Sequence, residues 1–168
     1  MRTISASALR LLVLALLFAG SAAEARTTTG LLVEKAKRTV TVFFDTGPPQ
    51  VFAGARYGAN WQDGPKQQQG DERTPEGDYV IAERRTSGPF QYLPSLLISY
   101  PDARDGARAR AAGVSPGGAI LIHGPPPGAD ASWRNDEDWT EGCIALDGDS
   151  IAELVALVPA GTPIRIVP

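Results

Sequence analysis

The chain has a single histidine, His123, and a single cysteine, Cys143. Both fall within residues 120–146, each at the edge of a short apolar run. Ala119-Ile120-Leu121-Ile122 leads into His123-Gly124, and Glu141-Gly142-Cys143 leads into Ile144-Ala145-Leu146. A thiol and an imidazole are the two groups that cysteine acyl transfer requires. A free thiol is only a few per cent thiolate at neutral pH, so a base must take its proton. The imidazole can do that, and the imidazolium can return the proton to a leaving amine. The acyl-enzyme that remains is resolved by a second amine or by water.

The neighbouring residues fit the same scheme. Gly142 allows a sharp turn before the nucleophile, so that the amides of Glu141, Gly142 and Cys143 can converge on an oxyanion. Gly124 allows a backbone segment or the substrate to come close beside His123. Thr140 offers a hydroxyl to the substrate or to its own loop. The group that orients the imidazole is either Asp138 or a backbone carbonyl. One His and one Cys without the usual ligand spacing do not suit zinc. Neither a metal nor an organic cofactor is expected.

The N-terminus reads as an export signal. Arg2 and Arg10 supply positive charge, an apolar core of about ten residues follows, and Ala23-Glu24-Ala25 is a small-x-small cleavage site. That core is shorter than the ~20 residues of a spanning helix. Residues 1–25 are therefore assigned to a signal peptide, with an uncleaved anchor as the alternative, and residues 31–168 to one catalytic-type domain. The expected location is the periplasm or cell envelope, with no stable membrane insertion. A formal net charge of −3 argues against a nucleic-acid partner, which would call for a basic stripe. In an oxidising compartment a lone Cys is an accident, an intermolecular link or a reactive thiol.

The elements that must position these groups are mostly strands. Residues 32–35, 38–44 and 50–53 predict a small antiparallel meander, and 79–81, 96–100, 119–122, 144–146 and 164–167 predict further strands. Residues 60–70 read as a loop. Residues 70–79 read as a tight turn with solvated charges, in which Gly77 takes a positive φ after Pro75. A surface helix is expected over 103–112, its arginines forming a solvated face and Gly113 ending it. A second helix is expected to begin with the capping box Ser150-Ile151-Ala152-Glu153 and to bury Ile151, Leu154, Val155 and Val158. The predicted fold is mainly β, a β-sandwich or open barrel-like sheet with two short helices.

The order of the motifs resembles the L,D-transpeptidase catalytic domain of the YkuD type. The residues that carry the resemblance are His123-Gly124 and Thr140-Glu141-Gly142-Cys143-Ile144, with Gly70-Asp71 and Thr74-Pro75-Glu76-Gly77-Asp78-Tyr79 upstream. Ser99-Tyr100-Pro101 and Gly161-Thr162-Pro163-Ile164 also fit. The similarity covers residue 31 to the C-terminus. It implies that Cys143 is the nucleophile, that His123 accepts and donates the proton, and that the substrate is the stem peptide of peptidoglycan. Such enzymes cut before the terminal D-residue and pass the acyl group to a meso-diaminopimelate amine or a lipoprotein lysine.

The chain departs from the family pattern at two places. Ala145 stands where many members carry Arg, and Glu141 stands where many carry a second His. The form from Asp138 to Ala145 resembles a subgroup that includes both transpeptidases and an enzyme that reverses lipoprotein attachment. Three readings follow: an exported L,D-transpeptidase, an L,D-amidase or carboxypeptidase with the same chemistry ending on water, and a non-catalytic wall-binding module. The partners they imply are peptidoglycan stem peptides and, for the subgroup, a wall-linked lipoprotein.

Overall fold

The computed structural model describes residues 26–129 and 137–168; the expected export signal and residues 130–136 lie outside the described residues. β1 (Thr28–Glu34), β2 (Thr39–Phe44) and β3 (Gln50–Ala53) form the anticipated antiparallel meander. β8 (Pro163–Val167) lies parallel to β1 and antiparallel to β4 (Gly77–Arg85). β5 (Ser95–Ile98), β6 (Leu121–His123) and β7 (Ile144–Ala145) complete one sheet in the order β3-β2-β1-β8-β4-β5-β6-β7. Of the two forms expected, the open barrel-like sheet is the one adopted.

Alternation decides the faces. Tyr79 and Ile81 of β4 are buried while Asp78, Val80 and Ala82 are exposed, and in β8 Ile164 and Ile166 are buried beside exposed Pro163 and Arg165. α1 (Ala103–Ala111) and α2 (Gly148–Leu157) complete the described elements, together with a single 3-10 turn, Trp61–Asp63, within the 60–70 loop. α2 buries the predicted face of Ile151, Leu154 and Val155, with Val158 at its C-cap, in the same core as the strands. It begins earlier than its sequence suggests. Asp147 is the N-cap, its carboxylate accepting from the Ser150 amide at 2.9 Å and from the Ser150 hydroxyl at 2.6 Å. Ser150 is thus a donor inside the first turn, because an ionised Asp three residues earlier is the stronger acceptor.

Two expectations about charge hold only in part. Arg104 and Arg110 of α1 are exposed, whereas the half-buried Arg108 pairs with Asp105 at 3.0 Å and donates to the Lys66 carbonyl at 2.8 Å. Within residues 70–79, Glu72 and Asp78 are exposed as expected, but Asp71 and Glu76 are not simply solvated. Asp71 accepts from the buried Lys66 ammonium and from the amides of Gln67, Gln68 and Arg73, and Glu76 pairs with the buried Lys35. Few apolar residues are available in these segments, so paired charges fill the space instead.

The sheet is drawn round by the segment after β3. The Ala55 amide bonds the Arg38 carbonyl in the β1–β2 turn, while Arg56 exchanges two backbone hydrogen bonds with Ala145 of β7 (2.9 and 2.8 Å). One short strap thereby joins the two ends of the strand order. Asp138 secures it. Its carboxylate accepts both Nη groups of Arg38 at 2.8 Å, the Tyr57 amide at 2.9 Å and the Trp61 indole N–H at 2.6 Å. Burial alone would raise the Asp138 carboxyl, but these bonds outweigh it and hold its pKa below the ordinary value.

Removing this charge should cost roughly 3 kcal/mol, as breaking a largely buried ion pair does. For Asp138→Asn that corresponds to a fall in Tm of about 10 °C in a domain of this size. The stabilisation is fully present above about pH 4 and is lost as pH falls through the depressed folded pKa. The gap between wild type and variant in calorimetry should therefore narrow below that pH. Equal Tm values at pH 7 would show that the carboxylate is not the clasp.

Candidate active site

The geometry of the site begins with the parallel pairing of β6 and β7, in which Ile122 faces Ile144 and His123 faces Ala145. Cys143 is the residue before β7, so alternation turns it and His123 to the face opposite the two buried isoleucines. The Leu121 amide donates to Cys143 Sγ at 3.4 Å, and Sγ lies 3.8 Å from the Ala119 carbonyl oxygen. The strand ends thus bring the lone thiol and the lone imidazole to one corner of the sheet.

His123 is only 1% exposed. Its Nδ1 lies 2.7 Å from the Gly124 carbonyl oxygen. A carbonyl only accepts, so Nδ1 carries the proton and Nε2 is the basic nitrogen. Tyr92 lies against the ring at 4.0 Å between centroids, and Trp139 meets it edge-on at 5.5 Å. Burial pushes the imidazole pKa down, partly offset by the Gly124 bond. Burial also pushes the Cys143 thiol up, against the opposing Leu121 amide and the Lys66 charge. Both shifts favour the neutral pair, thiol and imidazole, in the resting protein.

The turn before Cys143 is held by backbone bonds and by one hydroxyl. The Thr140 amide donates to the Tyr57 carbonyl and its own carbonyl accepts from the Ala59 amide, both at 3.1 Å. The Thr140 hydroxyl donates to the Cys143 carbonyl at 2.7 Å and accepts the Gly142 amide at 3.2 Å. Behind the turn sits the 71–74 segment. A Cβ on Gly142, whose φ is +128°, would lie 2.6 Å from the Arg73 carbonyl oxygen, and one on Gly58 would lie 2.2 Å from that of Glu72. The Gly58 amide donates to the buried Thr74 hydroxyl at 3.1 Å. Three chain segments meet here with their backbones in close contact.

The sequence-predicted residues therefore divide by role. Thr140 braces its own loop. The Gly142 amide is committed to Thr140 in this state, which removes it from the expected oxyanion trio. Gly124 orients His123 through its carbonyl and abuts Ile151 Cγ2, which a Cβ would approach to 3.0 Å. Asp138 does not orient the imidazole: its four hydrogen bonds come from Arg38, the Tyr57 amide and the Trp61 indole, and His123 Nδ1 bonds the Gly124 carbonyl. Glu141 is exposed and lines a cleft of about 230 Å³ beside Cys143, together with Lys66, Gln69, Gly118 and Ile120.

Sequence reasoning missed Tyr92, Lys66, Thr74 and Gly58. Only Thr74 carried a signal: it stands in the Gly70–Tyr79 turn, whose Asp71 was available to cap three following or neighbouring amides.

The family model for the L,D-transpeptidase catalytic domain, YkuD, matches residues 28–166. The chain belongs to this family. YafK of Escherichia coli K12, whose own L,D-transpeptidase assignment is provisional, is 30% identical over 95 residues, 56% of this chain and 32% of YafK. Among solved structures, a variant of the helical-cell-shape-determining protein Pgp2 from Campylobacter jejuni superimposes with a TM-score of 0.63 at 24% identity. It is covered over 47% of its length by 85% of this chain. Bd1075 of Bdellovibrio bacteriovorus gives a TM-score of 0.56 at 28% identity, over 86% of this chain and 49% of that one. An L,D-transpeptidase from Mycobacterium smegmatis gives 0.52 at 16% identity, over 85% and 59%. The chain spans about a third of YafK and about half of Pgp2 and Bd1075. Its sheet is thus the L,D-transpeptidase fold, and no helix among the described residues is long and apolar enough to cross a membrane.

A neutral resting thiol has a measurable signature. The rate of Cys143 alkylation by iodoacetamide should rise with pH along a curve whose midpoint lies above the ordinary thiol value of about 8.5. A midpoint at or below neutrality would instead reveal a preformed thiolate–imidazolium pair.

Proposed function

We propose that this protein is an exported peptidoglycan L,D-transpeptidase in which Cys143 is the nucleophile and His123 the proton carrier. The observation that carries the reading is the fixed tautomer. In a chain of this family, the only imidazole is locked through Nδ1 by Gly124, which leaves Nε2 as the basic nitrogen at the corner shared with the only thiol.

The steps follow from these groups. Sγ swings from Ala119 toward Nε2 and gives up its proton, and the thiolate attacks the carbonyl carbon of the stem-peptide L,D bond. The Glu141 and Cys143 amides face the oxyanion, in place of the committed Gly142 amide. When the C–N bond breaks, the imidazolium proton goes to the leaving D-residue amine. An acceptor amine then attacks the thioester, gives its proton to Nε2, and the thiol is restored. Tyr92 and Trp139 hold the ring and keep it partly desolvated through both transfers. Location in the periplasm or cell envelope and a part in cell shape go with this reading; the Pgp2 likeness and the N-terminal signal pattern support them.

The test is mass spectrometry of purified tetrapeptide-stem muropeptides incubated with the protein, with and without an acceptor amine. The expected result is loss of the terminal D-residue together with a new amide cross-link. Cys143→Ala should reduce both by about a thousandfold or more, as removal of a covalent nucleophile does. Loss without a cross-link would replace the transferase by the amidase or carboxypeptidase. No conversion together with an inert thiol would overturn the enzyme reading.

A further inference from the structure

Residues 66–73 run behind the turn before Cys143, and one side chain gives them their shape. Asp71 Oδ2 accepts the Gln67 and Gln68 amides at 2.6 and 3.0 Å. Its Oδ1 accepts the Arg73 amide at 3.1 Å and the Lys66 ammonium at 2.8 Å. A single carboxylate therefore ties together the residues before it and after it. Between these bonds Glu72 sits at φ +56°, a conformation that a residue with a Cβ rarely adopts. Such a residue persists only where its surroundings over-determine it. Asp71 supplies that constraint on one side of Glu72. On the other, the Glu72 carbonyl accepts from the Asn60 amide at 3.0 Å.

This curl aims two carbonyls. That of Glu72 lies against Gly58 and that of Arg73 against Gly142, each so close that a Cβ on the glycine would overlap it. Both contacts bear on the same turn, because Gly58 is bridged to Thr140 and Gly142 immediately precedes Cys143. The other end of the segment is anchored as well. Arg108 of α1 donates to the Lys66 carbonyl at 2.8 Å, and the Gln69 amide donates to the Ser115 carbonyl at 2.8 Å. The carboxylate's four hydrogen bonds all stay within residues 66–73, so its influence reaches the thiol through backbone.

We propose that Asp71 is a positioning residue: it sets Cys143 by holding the 72–73 carbonyls against Gly58 and Gly142. The assignment rests on the reading of Cys143 as the nucleophile given above. A thiol moved off its line of attack loses orientation and leaves substrate binding intact, so the cost falls on kcat.

The experiment pairs hydrogen exchange with turnover of tetrapeptide-stem muropeptides. In Asp71→Ala the amides of residues 138–146 should exchange about tenfold faster, while those of β1 and β8 keep the wild-type rate. The kcat should fall about a hundredfold, with KM within about threefold of wild type. Asp71→Asn keeps one oxygen for the Arg73 amide and should recover about tenfold of that loss. Ile166→Ala, which opens a cavity in the core on β8, should lower Tm at least as much and leave kcat within about twofold. Should Asp71→Ala fail to fold, Asp71→Asn carries the test, with changes in the same direction. Unchanged exchange at residues 138–146 in a folded variant overturns the proposal. A raised KM at unchanged kcat does so too, by placing Asp71 in substrate binding, as does a kcat loss no larger than that of Ile166→Ala. Failure of both Asp71 variants to fold also overturns it, since the residue would then serve the whole domain and not the turn. If the wild type converts no stem peptide, the stem-peptide reading fails, and the exchange pattern alone decides whether Asp71 sets the turn.

Discussion

One carboxylate holds the shape of this domain to its chemistry. Asp138 gathers a guanidinium from the β1–β2 turn, a backbone amide from the strap after β3 and an indole from the 3-10 turn, and it lies five residues before Cys143 in the chain. The strap is otherwise joined to the far end of the sheet by backbone hydrogen bonds of Arg56 with Ala145 and of Tyr57 and Ala59 with Thr140. Such bonds contribute about 1 kcal/mol each, while hydrogen bonds to a charged group contribute more. The ionised Asp138 therefore reinforces the backbone bonds that set where the Thr140–Cys143 turn sits, and the turn sets the thiol.

The electrostatics of the corner follow from that enclosure. Burial disfavours both the thiolate and the imidazolium, and no ion pair between them compensates. The resting site stores its proton on sulfur and keeps a free base on Nε2. A polar group bound in the cleft can supply hydrogen-bond partners for a thiolate and draw Sγ away from Ala119. The charge cost of forming the thiolate is then met when a ligand is present to use it.

Much of this was legible in the residues themselves. The period-2 pattern of Tyr79 and Ile81 and the 3.6-period face of Ile151, Leu154 and Val155 each pointed to the element that formed, since in each case burial and local propensity agree. His123 and Cys143 were legible because they are unique. What was not legible depended on distant partners. Arg108 looks like free surface from its own neighbours, and its tie to the distant Lys66 carbonyl appears only in the fold. Asp138 reads as a histidine partner by proximity in sequence, yet Arg38, a hundred positions away, claims it. Gly58 stands in no motif, and its necessity appears only when the Glu72 carbonyl is seen where its Cβ would be.

The meeting of Gly58, Gly142 and the 72–73 carbonyls has an evolutionary consequence. Beside the side-chain bonds of Asp138, Thr140 and Thr74, the turn before Cys143 is aligned by contact between peptide groups, which are the same whatever side chains line the cleft. Its alignment is therefore insulated from sequence drift in the walls of the cleft. Lys66, Gln69 and Glu141 can be exchanged to suit another donor or acceptor while the thiol keeps its place. A fold with this kind of bearing can diversify in substrate without rebuilding its catalytic centre.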